Sequence, residues 1–158
     1  MNLAEQCRDA LDLLTPLLLS VALGGALGLE RERRDKPAGL RTHMMVALGS
    51  TTFVSLAFRM ANVGQGEDML VDPSRILQGV VGGIGFLGAG SIIQNKSNVR
   101  GITTAAGLWL CGAIGAACGT GAYGLAVVVT VITLVVMIVI GRLTFNASNG
   151  TRAPQGDQ

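Results

Sequence analysis

The sequence predicts an all-α, polytopic membrane protein with five transmembrane helices, its N-terminus outside and its C-terminus in the cytoplasm. Three observations carry that reading. The 158-residue chain is 49% hydrophobic, has a mean hydropathy of +0.52 and is only 14% charged, against about 25% in an ordinary globular chain. Its apolar residues gather into five runs, each long enough to cross a hydrocarbon core of about 30 Å, which takes roughly 17 to 25 residues of helix. Its charges lie in short stretches between those runs and are unequally shared between the two sides. A secreted enzyme, a nucleic-acid binder and a disordered linker are all disfavoured by this composition.

The runs extend from about Leu13 to Leu29, Thr42 to Asn62, Ile76 to Ile93, Ile102 to Cys118 and Ala122 to Leu143. The β-branched stretch Val127 to Ile140 would suit a strand in water, but a span in lipid must satisfy its own backbone hydrogen bonds and so favours a helix. The chain accordingly divides into an extracytoplasmic tail (1–12), a membrane domain (13–143) and a short cytoplasmic tail (144–158) of Asn, Ser, Gly, Pro and Gln that reads as disordered. A cleaved signal peptide fits the N-terminus poorly. Glu5, Arg8, Asp9 and Asp12 give no net positive charge, the apolar run is long, and no small-x-small cleavage site precedes the charged loop.

Five spans put the loop after the first, the loop after the third and the C-terminus on one side. That side holds Arg31, Arg33, Arg34, Lys36, Arg41, Lys96, Arg100, Arg142 and Arg152, nine of the 12 basic residues. Arg8, Arg75 and Arg59 fall to the other, with Glu5, Asp9, Asp12, Glu67, Asp68 and Asp72. Basic loops stay cytoplasmic, which sets the orientation, and a four- or six-span count would break the segregation.

Gly83, Gly85 and Gly88 spell a G-x-G-x-x-G pattern, yet no strand precedes it and no acidic residue follows at ribose-binding distance. Helix packing is the better reading, because small residues let transmembrane helices approach closely. Gly24/Gly28, Gly79/Gly83 and Gly115/Gly119 form small-xxx-small pairs on the first, third and fourth spans. Those three are expected to form the tight core, with the bulky fifth span facing lipid. A broken helix lining a substrate path is the other reading of the glycines.

Candidate polar sites lie at the span ends. Asp72-Pro73 reads as an N-cap with proline at the first helical position, and Arg75 and Gln78 follow on an otherwise apolar helix. In the loop from Glu30 to Thr42 the cations have a topological explanation, but Glu30 and Glu32 meet the negative end of the first helix dipole. They need a partner, for which Arg41 or Arg100 is the natural candidate, or else a divalent cation. Arg59 can snorkel to the interface. His43 has no cysteine or carboxylate at ligand spacing and is not read as a metal ligand; no metal site is assigned and no cofactor is expected. Cys111 and Cys118, seven apart on one helix, are expected to be buried thiols. No nucleophile triad, Walker loop or carboxylate dyad is present, so the chain reads as a non-enzyme. Gly39-Leu40-Arg41-Thr42 and Gly101-Ile102-Thr103-Thr104 open the second and fourth spans in parallel fashion, a short internal similarity.

The chain resembles the MgtC/SapB family of bacterial inner-membrane proteins. The resemblance rests on Leu27-Gly28-Leu29-Glu30-Arg31-Glu32 with Ala38-Gly39-Leu40-Arg41-Thr42, on Gly83-Ile84-Gly85-Phe86-Leu87-Gly88-Ala89-Gly90, and on Val99-Arg100-Gly101-Ile102-Thr103-Thr104-Ala105-Ala106 with Trp109 and Gly115, in order across about 30 to 124. It implies a multi-pass inner-membrane protein of five spans with the N-terminus outside. It further implies a role linked to growth at low Mg²⁺ and to virulence, through restraint of a membrane complex such as an ATP synthase rather than through transport. The family's best-known members carry a cytoplasmic ACT-like domain, which this chain is expected to lack. From residues and resemblance together, the expected function is a non-enzymatic regulator or binding partner of another inner-membrane complex. A homo-oligomer is expected, a dimer by preference, in the lipid bilayer and without nucleic acid. The alternatives are an oligomeric transporter or channel for Mg²⁺ or another cation, with Glu30, Arg41, Asp72, Arg75, Gln78 and Thr103 near its path, and a packing subunit of an unnamed complex. Thr42, Arg100 and Thr104 complete the candidate polar set.

Overall fold

A computed structural model describes residues 3–63, 72–95 and 98–142. Glu67, Asp68, Lys96, Arg152 and the 144–158 tail, to all of which the sequence assigns a side or a state, lie outside them. Five helices account for nearly all of it: α1 (Leu3–Glu32), α2 (Leu40–Val63), α3 (Pro73–Gly90), α4 (Ile102–Gly119) and α5 (Tyr123–Val135), which runs on through a π-helical turn, Val136–Ile140. The helix count and the all-α class agree with the apolar runs. Helix α1 begins at Leu3, inside the stretch the sequence sets apart as a tail, and carries Pro16 in its interior. Four of the helices, all but α3, combine the length and apolarity of a membrane span among the described residues. Helix α3 is long enough but diluted by Arg75, Gln78 and six glycines.

The third apolar run extends on paper to Ile93, but α3 stops at Gly90 and Ile93 enters a two-stranded antiparallel hairpin. Its strands are β1 (Ile93–Asn95) and β2 (Asn98–Arg100), with Ile93 opposite Arg100 and Gln94 opposite Val99. Gly101 turns the chain out of β2 into α4 at φ 94°, where a side chain would be strained and would also collide with the Ser91 carbonyl.

The sequence places the tight core on the first, third and fourth spans. The structure puts α2 at the centre instead, with its most extensive contacts to α1 and α4. The glycines explain the difference. A Cβ on Gly24 would lie 2.8 Å from both Ala47 Cβ and the His43 carbonyl oxygen, one on Gly28 2.7 Å from Leu40 Cα, and one on Gly119 2.8 Å from the Thr51 carbonyl oxygen. Gly115 is tighter still against the backbone at Ala47. All four admit α2. Gly79, Gly83 and Gly85 have no atom within 4 Å of where a Cβ would be, and Gly88 makes only ordinary contact with Ala105. Within one chain Gly79, Gly83 and Gly85 therefore pack against no other helix, because α3 leans on α4 through Ile84, which fills the notch left by Gly112.

The core is formed by Leu27, Ala47, Cys111, Ile114, Cys118 and Ala126. Polar residues inside it return their hydroxyls to backbone carbonyls. Thr51 reaches the carbonyls of Ala47 at 2.9 Å and Gly115 at 2.8 Å, the second across the α2–α4 contact. Ser20, Thr130 and Thr133 bond within their own helices. Such hydroxyl bonds add about 0.6 kcal/mol on average between membrane helices. Both Cys111 and Cys118 are buried free thiols. The outer face of α5, from Leu125 through Ile140, is largely exposed apolar surface.

Candidate functional site

An ionic cluster is built where α1 ends and α2 begins. Helix α1 continues to Glu32, so Glu30 lies four residues before Arg34 and faces it. Arg34 Nε sits 2.7 Å from Glu30 Oε1, while Arg31 donates to the other carboxylate oxygen, Oε2. Arg31 is only 3% exposed. The expectation that Arg41 or Arg100 would neutralise Glu30 is corrected here. Both are exposed, and the helix has already brought two closer guanidinium groups to the carboxylate. Glu32 has a different task, accepting the Leu40 amide at 2.6 Å and so capping α2. One acid is thus neutralised by side chains and the other by backbone.

His43 lies beside this cluster and is fully buried. Its Nδ1 is 2.9 Å from the Gly39 carbonyl oxygen. A carbonyl only accepts, so Nδ1 carries a proton and donates it to Gly39. The other ring nitrogen, Nε2, has no hydrogen-bond partner. It faces α4 at Gly107, 3.5 Å from where a Cβ would stand, and the methyl group of Met137 approaches the same spot from the π-helical turn of α5. The His43 carbonyl accepts from Cys111 Sγ at 3.0 Å. Arg34 in turn reaches the backbone at Gly141. Four elements therefore meet around one buried, charged knot: the end of α1, the start of α2, the middle of α4 and the irregular end of α5. Isolated π-turns recur at functional sites, and ionisable groups at membrane depth carry function more often than packing.

The other sequence-nominated residues are dispersed. Arg41 and Thr42 are exposed at one end of an open groove of about 700 Å³ between α2 and α3. Asp72 caps α3, its carboxylate accepting the Ser74 amide at 2.9 Å. The Ser74 hydroxyl and amide together hold that carboxyl below the usual carboxylate range. Arg75 and Gln78 are exposed on the first turns of α3, Arg100 is exposed on β2, and Thr103 lines a shallow pocket of about 250 Å³ against α5. Thr104 is buried in α4. The structure does not bring Glu30, Arg41, Asp72, Arg75, Gln78 and Thr103 to one place. Among the described residues no three His, Cys, Asp or Glu side chains are grouped to hold a metal ion. Reading the sequence missed His43 and Arg31. The signal was there in one form: a lone histidine at the start of the second apolar run, seven residues after the charged Glu30–Lys36 stretch.

A model of the MgtC family matches residues 17–145. Among curated relatives, the chain is 42% identical over 134 residues to "Putative magnesium transporter YhiD" of Escherichia coli (strain K12), covering 84% of this chain and 62% of that one. It is 44% identical over 114 residues to Protein MgtC of Brucella abortus (strain 2308), covering 72% and 45%. With Protein SrpB of Synechococcus elongatus it shares 38% identity over 144 residues, covering 85% and 78%. The chain thus spans less than two thirds of the length of the first two. No solved structure matches it.

Proposed function

The chain belongs to the MgtC family, and on that premise we propose that this membrane protein is a non-enzymatic regulator or binding partner of a second inner-membrane complex, acting when Mg²⁺ is scarce. One observation carries the reading: the buried charges occupy one end only. Glu30, Arg31 and His43 are packed together there, and beyond them the interior is apolar side chains and hydroxyls, of which those of Ser20, Thr51, Thr130 and Thr133 bond to backbone. A solute path ordinarily strings ionisable groups through the midplane, and among the described residues none line up so. An ATP-synthase-like complex is the partner favoured by the family resemblance, and the charged end, read as cytoplasmic from its basic residues, is the end it would meet. The same reading makes the protein multi-pass in the inner membrane and oligomeric, with a link to virulence as the most distant step.

A second reading, a cation transporter working as an oligomer, is favoured by one specific observation, the magnesium-transporter name of the YhiD relative. Liposomes loaded with a Mg²⁺-sensitive dye separate the two. Folded, oriented protein that passes no more Mg²⁺ than empty vesicles supports the regulator. Flux above empty vesicles replaces it with the transporter.

A further inference from the structure

The groove between α2 and α3 has a shape and a charge that the regulator reading leaves unused. Its walls are Met45, Val46, Gly49 and Phe53 on α2 and Gly79, Val80, Gly83 and Leu87 on α3, nearly all apolar, and it is open to the surroundings. The bare glycines make it deep, since Gly49, Gly79 and Gly83 have no neighbour within 4 Å of a would-be Cβ. From Thr42 to Phe53 it follows three turns of α2, about 16 Å at the helical rise, which matches the half-thickness of a hydrocarbon core of about 30 Å. Apart from Ser50 midway along α2, the lining turns polar at one end, where Arg41 and Thr42 stand, and Arg41 is the one charge among these lining residues. Arg41 makes no ion pair among the described residues.

We propose that this groove is a binding site for one anionic phospholipid of the leaflet on the Arg41 side, an acyl chain lying along Gly79 and Gly83 and the headgroup phosphate on Arg41 and Thr42. Charge selects this occupant over a second copy of the chain. A copy related by an axis along the membrane normal would bring its own Arg41 to the same depth, setting cation against cation. An anionic headgroup completes the site instead. The apolar length holds one leaflet's worth of acyl chain and no more, and the single cation at its mouth calls for one phosphodiester. Arg59, exposed near the far end of α2, lies outside the groove lining and supplies an internal control of equal charge.

The test is native mass spectrometry of the detergent-solubilised chain titrated with phosphatidylglycerol or with phosphatidylcholine of the same acyl chains. The wild-type protein is expected to retain one phosphatidylglycerol in preference to phosphatidylcholine. Arg41→Gln should lower that retention about five-fold, the scale of one cation at an anionic surface, whereas Arg59→Gln should leave it alone. Gly83→Leu, which fills open space and so spares the fold, should lower retention of both lipids. Three results would overturn the site: equal retention of the two lipids by the wild-type protein, equal losses in Arg41→Gln and Arg59→Gln, or a Gly83→Leu protein that keeps its lipid and passes from dimer to monomer. The last would assign the groove to a second copy.

Discussion

The carboxylate of Glu32 accepts the amide of Leu40 at 2.6 Å, so that the last residue of α1 caps the first residue of α2. This bond closes a turn in which Asp35 adopts φ 50° and Gly39 passes directly under the Glu32 side chain. A helix N-terminus lacking its cap loses about 0.5–2 kcal/mol, and here the cap also fixes the crossing of the two helices. Glu32→Ala should lower the unfolding free energy in detergent by an amount in that range, and Glu32→Gln, which keeps an acceptor oxygen, by less. Gly39→Ala would push the carboxylate off the amide. Its cost should therefore fall sharply in the Glu32→Ala background, and equal costs in both backgrounds would mean that the cap does not act through this contact.

The glycines make a sharper contrast. Gly28 faces Leu40 Cα at 2.7 Å from a would-be Cβ, and backbone cannot step aside as a flexible side chain can. Gly28→Ala is expected to cost about 1–3 kcal/mol by overpacking, with α1 and α2 splayed. Gly79→Ala and Gly85→Ala, both in open space, should leave the unfolding midpoint of the detergent-solubilised monomer unchanged. A thermal scan of the three variants decides it, and comparable losses in all would mean that the α3 stripe is packed after all.

That contrast also measures what a sequence of this kind can tell. The five helices were legible because lipid demands long apolar runs, and the α3 cap because Asp-Pro has few other uses. Spacing alone makes Gly79/Gly83 look the same as Gly24/Gly28, since both are small-xxx-small pairs. Which pair meets another helix depends on where Ile84 and Gly112 lock α3, a relation between residues 28 positions apart. Glu30 stood out as needing a partner. Its choice of Arg31 and Arg34 turned on α1 running three residues past its apolar stretch, to Glu32. His43 became a site residue through its place against Gly107 and Cys111 on α4, 64 and 68 positions further along the chain.

Asp72 gives the fold a dependence on acid. Its carboxyl is held below the ordinary carboxylate value, chiefly by the Ser74 hydroxyl and then by the Ser74 amide. A group whose value falls on folding stabilises the folded state above its unfolded value, about 3.9 for aspartate, and that stabilisation is lost as the pH drops through the lowered folded value. The first turn of α3 should therefore keep its amide protection factors down to about pH 4 and lose them progressively below. Asp72→Asn keeps an acceptor without a titrating group, so its protection should be flat over the same range. A wild-type profile as flat as that of Asp72→Asn would remove the cap from the account.

The knot at Glu30 makes the strongest demand. Arg31 is 3% exposed and its guanidinium is held by Glu30, while Arg34 is open enough to reach water by itself. Removing one partner of a buried pair leaves the other charge uncompensated, at a cost of about 3–5 kcal/mol, whereas removing both is often neutral. Glu30→Gln should accordingly unfold the protein at markedly lower temperature, and Arg31→Met should lower it by less, because Arg34 still pairs with Glu30. The double variant Glu30→Gln/Arg31→Met should recover most of the loss, because no buried charge then remains without a partner. Thermal unfolding of the four proteins in one detergent closes the cycle. Additive losses would mean that the two charges are solvated independently, and the charged end would then be an open surface rather than a packed knot.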